Sequence, residues 1–208
     1  FNKLEDKDKF NPEKIDFFSI NKKKICELNI SDFNSKDCKY TTLKRSILIN
    51  FLKKDLEDVI KTGYNISKID QQNKQIKLTF QNNEIIECDY LIISDGVFSK
   101  SKNLILNNRV DLKYHNCLAI RGTISKTLNK INNRNISLLL GPNLHHVIYP
   151  VNSNRDLNYI AILRYVLSSE EQKDYSLFSD NFFVKKVLEK IFSNDSEILK
   201  NLKDIKLF

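Results

Sequence analysis

The residues best suited to chemistry stand where Asp95 and Gly96 follow the apolar run YLIIS (90–94), with Ser99 and Lys102 just beyond. A carboxylate at the carboxyl end of a covered strand can accept hydrogen bonds from a ribose, a ribityl chain or a water near a phosphate. A glycine beside it permits positive φ or a close approach of backbone to a ligand. Ser99 is placed to start the next helix, with amides that face an anion. The same Asp-Gly pair also suits an ordinary strand-loop-helix turn, and the pattern in isolation favours that turn.

His145 and His146 are adjacent, so on a strand they point to opposite faces and cannot serve one site. His145, Val147 and Tyr149 share a face that is expected to border a ligand; a histidine bonded within its own sheet is the alternative. Arg121, also in a strand-like run, is either a partner for a substrate carboxylate or a structural residue. Cys26, Cys38, Cys88 and Cys117 lie far apart, with no CxxC pair and no histidine at ligand spacing. No metal site is expected from them, and they read as reduced thiols of a cytoplasmic protein. No residue is assigned as a catalytic acid or base.

Several elements must position these groups. EKIDFFSINKKKICELNI (13–30) reads as a hairpin, and TTLKRSILINFLKKDLEDVIKTG (41–63) as a long helix with Thr42 as its cap and Gly63 at its stop. KQIKLTF and EIIEC flank a QNNE turn as a half-exposed hairpin. YLIIS does not alternate, which fits a strand covered on both faces in a parallel or mixed sheet. SKSKNLILN makes a short helix. HNCLAIRGTIS, ISLLL, LHHVIYPV and LNYIAILRYV predict adjacent antiparallel strands separated by GPN and NSNRD turns. Two helical stripes close the chain, one through Phe183, Val187 and Ile191 and another from Ile198 through Leu202, with Asp180 and Asp195 as caps.

A chain of 208 residues with a hydrophobic fraction of 41% can bury a core in one or two domains, and no apolar run has the roughly 18 residues of a membrane span. No secretion signal is read at its start, and peripheral membrane association stays compatible with it. The net charge of +8 invites a polyanion. The cations are mostly lysines scattered among Asn and Ile, however, and recognition of bases and phosphates favours the arginine fork. A solvated surface is the expectation, without nucleic acid. The chain begins at Phe1 and contains no Met, so it is read as part of something longer.

CDYLIISDGVFSKSK (88–102) resembles the Asp-Gly fingerprint of the FAD-dependent aromatic hydroxylases, the group of para-hydroxybenzoate, salicylate and ubiquinone-pathway hydroxylases. The resemblance implies that Asp95 and Gly96 help bind FAD and the nicotinamide donor. Lys102 stands where the motif has an arginine, keeping the charge without the bidentate fork. TTLKRSILINFLKKDL is similar to the segment whose arginine reaches the flavin, which makes Arg45 the matching residue. LGPNLHHVIYPVNS followed by LNYIAILR resembles the salicylate-hydroxylase branch through Gly141, Pro142, His145, Tyr149 and Pro150. CLAIRGTIS is similar to the family's Arg-Gly strand, with Arg121 and Gly122.

The resemblance implies an α/β (α+β) fold: part of an FAD-binding mixed sheet with helices, interwoven with an antiparallel substrate-domain sheet and followed by terminal helices. Residues 1–40 and 110–178 are expected on the substrate side and 41–109 in the FAD-binding domain, with 179–208 returning towards that domain. The implied reaction uses NAD(P)H, FAD and O2 to hydroxylate a small aromatic or related ring through a flavin hydroperoxide. The substrate side would carry Arg121, His145, Tyr149 and Pro150. Neither a GxGxxG loop nor the family's Gly-Asp-Ala-Ala-His segment is present, so the chain is expected to be the middle portion of a hydroxylase that holds FAD poorly by itself. The alternatives are another flavoenzyme of the superfamily, such as a halogenase or reductase, or a basic binding module.

Overall fold

The computed structural model describes residues 3–35, 38–72, 75–106, 113–124, 128–192 and 196–208. In chain order the first half contains β1 (Lys9–Phe10), β2 (Lys14–Ser19), β3 (Lys24–Asn29), β4 (Thr42–Leu43), α1 (Arg45–Lys53), β5 (Ile66–Gln72), β6 (Gln75–Phe80), β7 (Ile85–Cys88) and α2 (Lys100–Leu106). The second half contains β8 (Cys117–Ile124), β9 (Ile136–Leu140), β10 (Leu144–Pro150), β11 (Leu157–Arg164), α3 (Asn181–Ile191), α4 (Ser196–Asn201) and β12 (Leu202–Leu207). These elements form two compact units, a larger one of residues 1–52 with 114–208 and a smaller one of residues 53–113.

The larger unit is built on a seven-stranded sheet in the order β12-β8-β11-β10-β9-β2-β3. Only the β2–β9 pair in it is parallel. Strict alternation in β8 and β11 sends Leu118, Ile120, Ile124, Leu157, Tyr159 and Leu163 to one face, where each is buried. The α3 stripe of Phe183, Val187 and Ile191 closes over that face. Each such aliphatic burial contributes about 1.5–3 kcal/mol. Asp180 starts α3 by accepting the Phe183 amide at 2.7 Å, as its cap position predicts. Gly122 has a packing reason: a Cβ there would lie 2.5 Å from Leu202 Cδ1 and 2.8 Å from the Lys203 carbonyl, because β12 runs hard against β8.

In the smaller unit β5, β6 and β7 form an antiparallel sheet. Leu78 and Phe80 are its buried residues, with the Tyr64 ring edge-on to Phe80 at 5.1 Å. The QNNE turn between β6 and β7 closes with Asn83 at φ 66°, a left-handed position that Asn tolerates.

The mixed α/β architecture, the hairpin at 13–30 and the run of adjacent antiparallel strands agree with the sequence reading. Three elements differ. The run YLIIS is not a strand, and Tyr90 and Ile92 are 89% and 88% exposed. A non-alternating apolar run becomes a strand only between sheet neighbours, and among the described residues none lies beside it. The long helix stops at Lys53: Asp55 turns left-handed at φ 65°, and Leu56, Val59 and Ile60 beyond it are exposed. Thr42 is not its cap but a buried β4 residue whose hydroxyl donates to Pro150. Finally, the last stripe breaks after Asn201, and Leu202 begins a strand that pairs with the edge of β8. Asp195 lies outside the described residues. Among those residues no helix is long and apolar enough to cross a membrane.

Candidate functional site

One face of the seven-stranded sheet is closed by α3, and on the other the strand register lines up the residues singled out from sequence. Arg121 of β8 stands opposite Ile160 of β11, which is opposite Val147 of β10, which is opposite Leu138 of β9. The adjoining row on one side is Ala119, Ile162, His145 and Leu140; on the other it is Thr123, Asn158 and Tyr149. The centre of the face is therefore apolar and its rim polar. Arg121 and Leu140 are exposed, while Ile160, Ile162, His145, Val147 and Tyr149 are half-buried.

The two histidines separate as alternation requires. His145 faces the apolar platform, whereas His146 is buried on the other face with its Nδ1 2.6 Å from the Tyr159 hydroxyl. The Arg121 guanidinium sits 5.4 Å from the centre of the Phe208 ring, a cation–π contact. Burial pushes the Tyr149 hydroxyl above the ordinary tyrosine range, and the Arg121 charge partly offsets this. Pro150, expected beside Tyr149 on the substrate side, is buried on the opposite face, because the two residues are consecutive in one strand. Its carbonyl accepts the Thr42 hydroxyl at 2.5 Å. A second tie runs from Lys44 Nζ to Asp156 at 3.2 Å. These bonds fix the chain just before α1, so the exposed Arg45 emerges from a backbone anchored to the Tyr149–Pro150 end of β10.

At the opposite end of the same face lies a cavity of about 380 Å³ lined by His115, Cys117, Asn143, His145, Ile162 and Arg164 among others. Arg164, His115 and Cys117 were not singled out from sequence. The signal was there for one of them: in LNYIAILR, Arg164 falls on the same side as Ile160 and Ile162. Cys117 joins it only through the β8–β11 register, in which the two residues are partners.

In the smaller unit Asp95, Gly96, Ser99 and Lys102 do share one cavity of about 520 Å³, whose apolar walls are Ile93, Ile105 and Leu106. Gly96 has φ 84°, and nothing lies within 4 Å of where a Cβ would project. Its carbonyl accepts the Ser99 amide at 3.1 Å. Ser99 Oγ accepts the Lys102 amide at 2.9 Å and so caps α2. Asp95 accepts the Ser101 amide at 3.2 Å. A hydrogen bond from the Ser99 hydroxyl holds its carboxyl below the usual aspartate range, against the opposing effect of desolvation. The corner thus presents an ionised acceptor, a backbone open to close approach and a lysine.

No family model and no curated protein matches this chain. Solved structures do match in fold. HpxO of Klebsiella pneumoniae, complexed with FAD and uric acid, superposes with a TM-score of 0.77 at 11% identity, over 98% of this chain and 52% of that one. For 2,6-dihydroxypyridine-3-hydroxylase from Arthrobacter nicotinovorans the TM-score is 0.70 at 11% identity, over 99% and 57%. A salicylate hydroxylase substrate complex gives 0.70 at 15% identity, over 97% and 54%. At such identities the likeness is one of fold, and it takes in nearly all of this chain. The chain spans about half the length of these proteins.

Proposed function

We propose that this chain is part of an FAD-dependent monooxygenase that uses NAD(P)H and O2 to hydroxylate a small aromatic or related ring. The observation that carries the reading is the Asp95–Gly96 corner: an ionised carboxylate and a glycine at φ 84° on one cavity with Lys102, in a chain whose fold is shared with a protein solved with FAD. The residues present suit the cofactor. Asp95 would accept hydrogen bonds from its hydroxyls, Gly96 would let backbone approach it, and Lys102 and Arg45 would offset phosphate charge. Bound FAD supplies the electron transfer and the oxygen chemistry.

The chain's own part is to orient the ring and keep water away from it. The apolar rows of the open sheet face give a flat seat, with Arg121, His145 and Tyr149 at its rim to hold polar substituents. On this reading 41–109 belong to the flavin-binding side, 1–40 and 110–178 to the substrate side, and 179–208 lead back to the former. A cytoplasmic location fits four unpaired cysteines.

The test uses the product of the complete coding region, supplied with FAD, and follows NADH and NADPH oxidation together with oxygen uptake. Asp95→Ala is expected to weaken FAD binding by about tenfold or more, the loss of one or two charge-assisted hydrogen bonds. Gly96→Val, which forces a β-branched residue into the left-handed region, should act in the same direction. FAD affinity unchanged in both variants would remove the reading.

A further inference from the structure

We infer that Thr42 is a positioning residue for the cofactor: its hydroxyl ties the chain ahead of α1 to β10 and so fixes the reach of Arg45 towards FAD. This rests on the reading of Arg45 as a flavin-side residue. It gives a buried threonine, which the sequence suggests only as a helix cap, a part in cofactor affinity.

The helix does not place Arg45 by its own packing, since no residue of α1 is buried. Its first backbone bond runs from the Leu48 amide to the Lys44 carbonyl at 3.2 Å, so Arg45 opens the helix. Arg45 is exposed, and among the described residues its guanidinium forms no ion pair. What fixes the start of the helix is the segment before it. β4 gives little backbone hold, because only Thr42 and Leu43 pair in it, with Phe10 and Lys9 of β1. Asn11 adds side-chain bonds to the Tyr40 carbonyl at 3.0 Å and to Thr41 Oγ1 at 2.8 Å. These ties hold 40–43 to the chain around β1, outside the seven-stranded sheet.

Among the described residues two side-chain bonds run from this segment to β10 and the turn after it, and they differ in strength. The Lys44–Asp156 pair at 3.2 Å joins side chains that are 43% and 32% exposed, so water and salt screen it. The Thr42 hydroxyl, on a residue 8% exposed, donates to the Pro150 carbonyl at 2.5 Å across 108 residues of sequence. The Phe10 carbonyl lies farther off at 3.4 Å, and the single O–H serves the nearer acceptor. Removing that donor strands a desolvated carbonyl, which makes the bond costly to leave half-made. Only Leu43 and Lys44 separate Thr42 from Arg45. Pro150 follows Tyr149 on β10, so the same bond sets the Arg45 stem at a fixed distance from the Tyr149 end of the open face.

The product of the complete coding region is the protein to use, with FAD affinity read from the quenching of flavin fluorescence rather than from turnover. Arg45→Gln is expected to weaken FAD by about tenfold, the loss of one charged contact. Thr42→Val, which keeps the shape and removes the donor, should weaken it by about fivefold, and Thr42→Ser, which keeps the donor, by under about twofold. Lys44→Met should cost under about twofold. The deciding comparison is a double-mutant cycle: with Arg45→Gln already present, Thr42→Val should cost under about twofold. A threonine that only supports the fold would cost the same factor in both backgrounds, and that additivity overturns the inference. So does a Thr42→Val variant that binds FAD as the unaltered protein does, or a Thr42→Ser variant as weak as Thr42→Val. Arg45→Gln without effect, while Asp95→Ala still weakens FAD, removes the positioning role and leaves the cofactor reading standing. Affinity unchanged in both Asp95→Ala and Gly96→Val removes the cofactor reading and the inference with it.

Discussion

Two regions of this protein use apolar residues in opposite ways, the seven-stranded sheet of the larger unit and the segment 90–98 of the smaller one. In the larger one Ile120, Ile124 and Tyr159 are wholly inaccessible, and α3 closes over that face with its own buried Val187. In the smaller one Tyr90 and Ile92 of the apolar run 90–94, and Val97 and Phe98 just beyond it, are exposed. The difference is one of neighbours. A strand such as β11 has both of its ladder partners and its covering helix among the described residues, so its alternation is realised locally. Among the described residues the run 90–94 has no strand beside it and no backbone bond to one. Apolar surface buried in the first region is stability already gained, while the exposed surface of 90–98 has gained none.

The sharpest way to break this contrast is to cut into the larger core. Tyr159 is fully buried, bonded to His146 and stacked near Phe192 at 5.7 Å between ring centres. Tyr159→Ala is expected to destabilise by about 3–5 kcal/mol, from the cavity it leaves and from the hydrogen-bond partner it takes from His146. Urea unfolding followed by far-UV circular dichroism measures it. A loss below about 1 kcal/mol would mean that the core is far looser than its packing implies.

Helix caps test the same contrast at a smaller scale. Asp180 and Ser99 make the same kind of bond, at 2.7 Å and 2.9 Å, to the third residue beyond each. Asp180→Ala frees α3 from a sheet that depends on it, and about 1–2 kcal/mol of global stability should go. Ser99→Ala loosens a helix of seven residues in the smaller unit. It should cost about 0.5 kcal/mol globally, yet speed amide exchange locally through 100–106. Equal global costs would argue that the two units unfold as one.

What could be read from sequence follows the same division. CLAIRGTI, LHHVIYP and LNYIAILR carry period-2 patterns that are complete in themselves, and their strands, faces and the separation of His145 from His146 were all legible. YLIIS was misread because its fate depends on residues next to it in space, which no local pattern reports. Of the candidate sites, the Asp95–Ser99–Lys102 corner was legible because its members are close in sequence. The Arg164–Cys117–His145 cavity was not, since 47 residues separate Cys117 from Arg164 and only the β8–β11 register makes them partners. Pro150 was assigned with Tyr149 from a motif, where alternation would already have sent it to the other face.

A weaker effect belongs to the edge of the larger sheet. Glu27 on β3 accepts from Lys14 and from Lys24 at 2.6 Å each, and these bonds, that of Lys14 first, hold its carboxyl at about 2. Lys24 also pairs with the buried Asp16 at 3.0 Å. A carboxyl depressed in the folded state contributes stability that is fully present above its ordinary value of 4.5 and is lost as pH falls towards 2. Glu27→Gln should therefore lower the urea midpoint slightly at pH 6, with a deficit that closes between about pH 4.5 and 2 and shrinks in high salt. The same deficit at pH 6 and pH 2 would mean that the carboxylate's charge is not what matters there.

The smallest expected effect is the most informative about the comparison. Ile92 is 88% exposed, so Ile92→Ser removes no packed contact and should change the stability of the 208-residue chain by under about 0.5 kcal/mol. A loss above about 1.5 kcal/mol would show that the 90–94 run is already packed in solution and would erase the distinction between the units. The same substitution in the product of the complete coding region asks a different question. If other strands cover the run there, burial of that isoleucine is worth about 1.5–3 kcal/mol, and FAD retention should fall with it, because Asp95 and Gly96 hang from the end of the same segment. Ile92→Ser then separates an apolar run that serves assembly of the cofactor side from one that is merely tolerated on a surface.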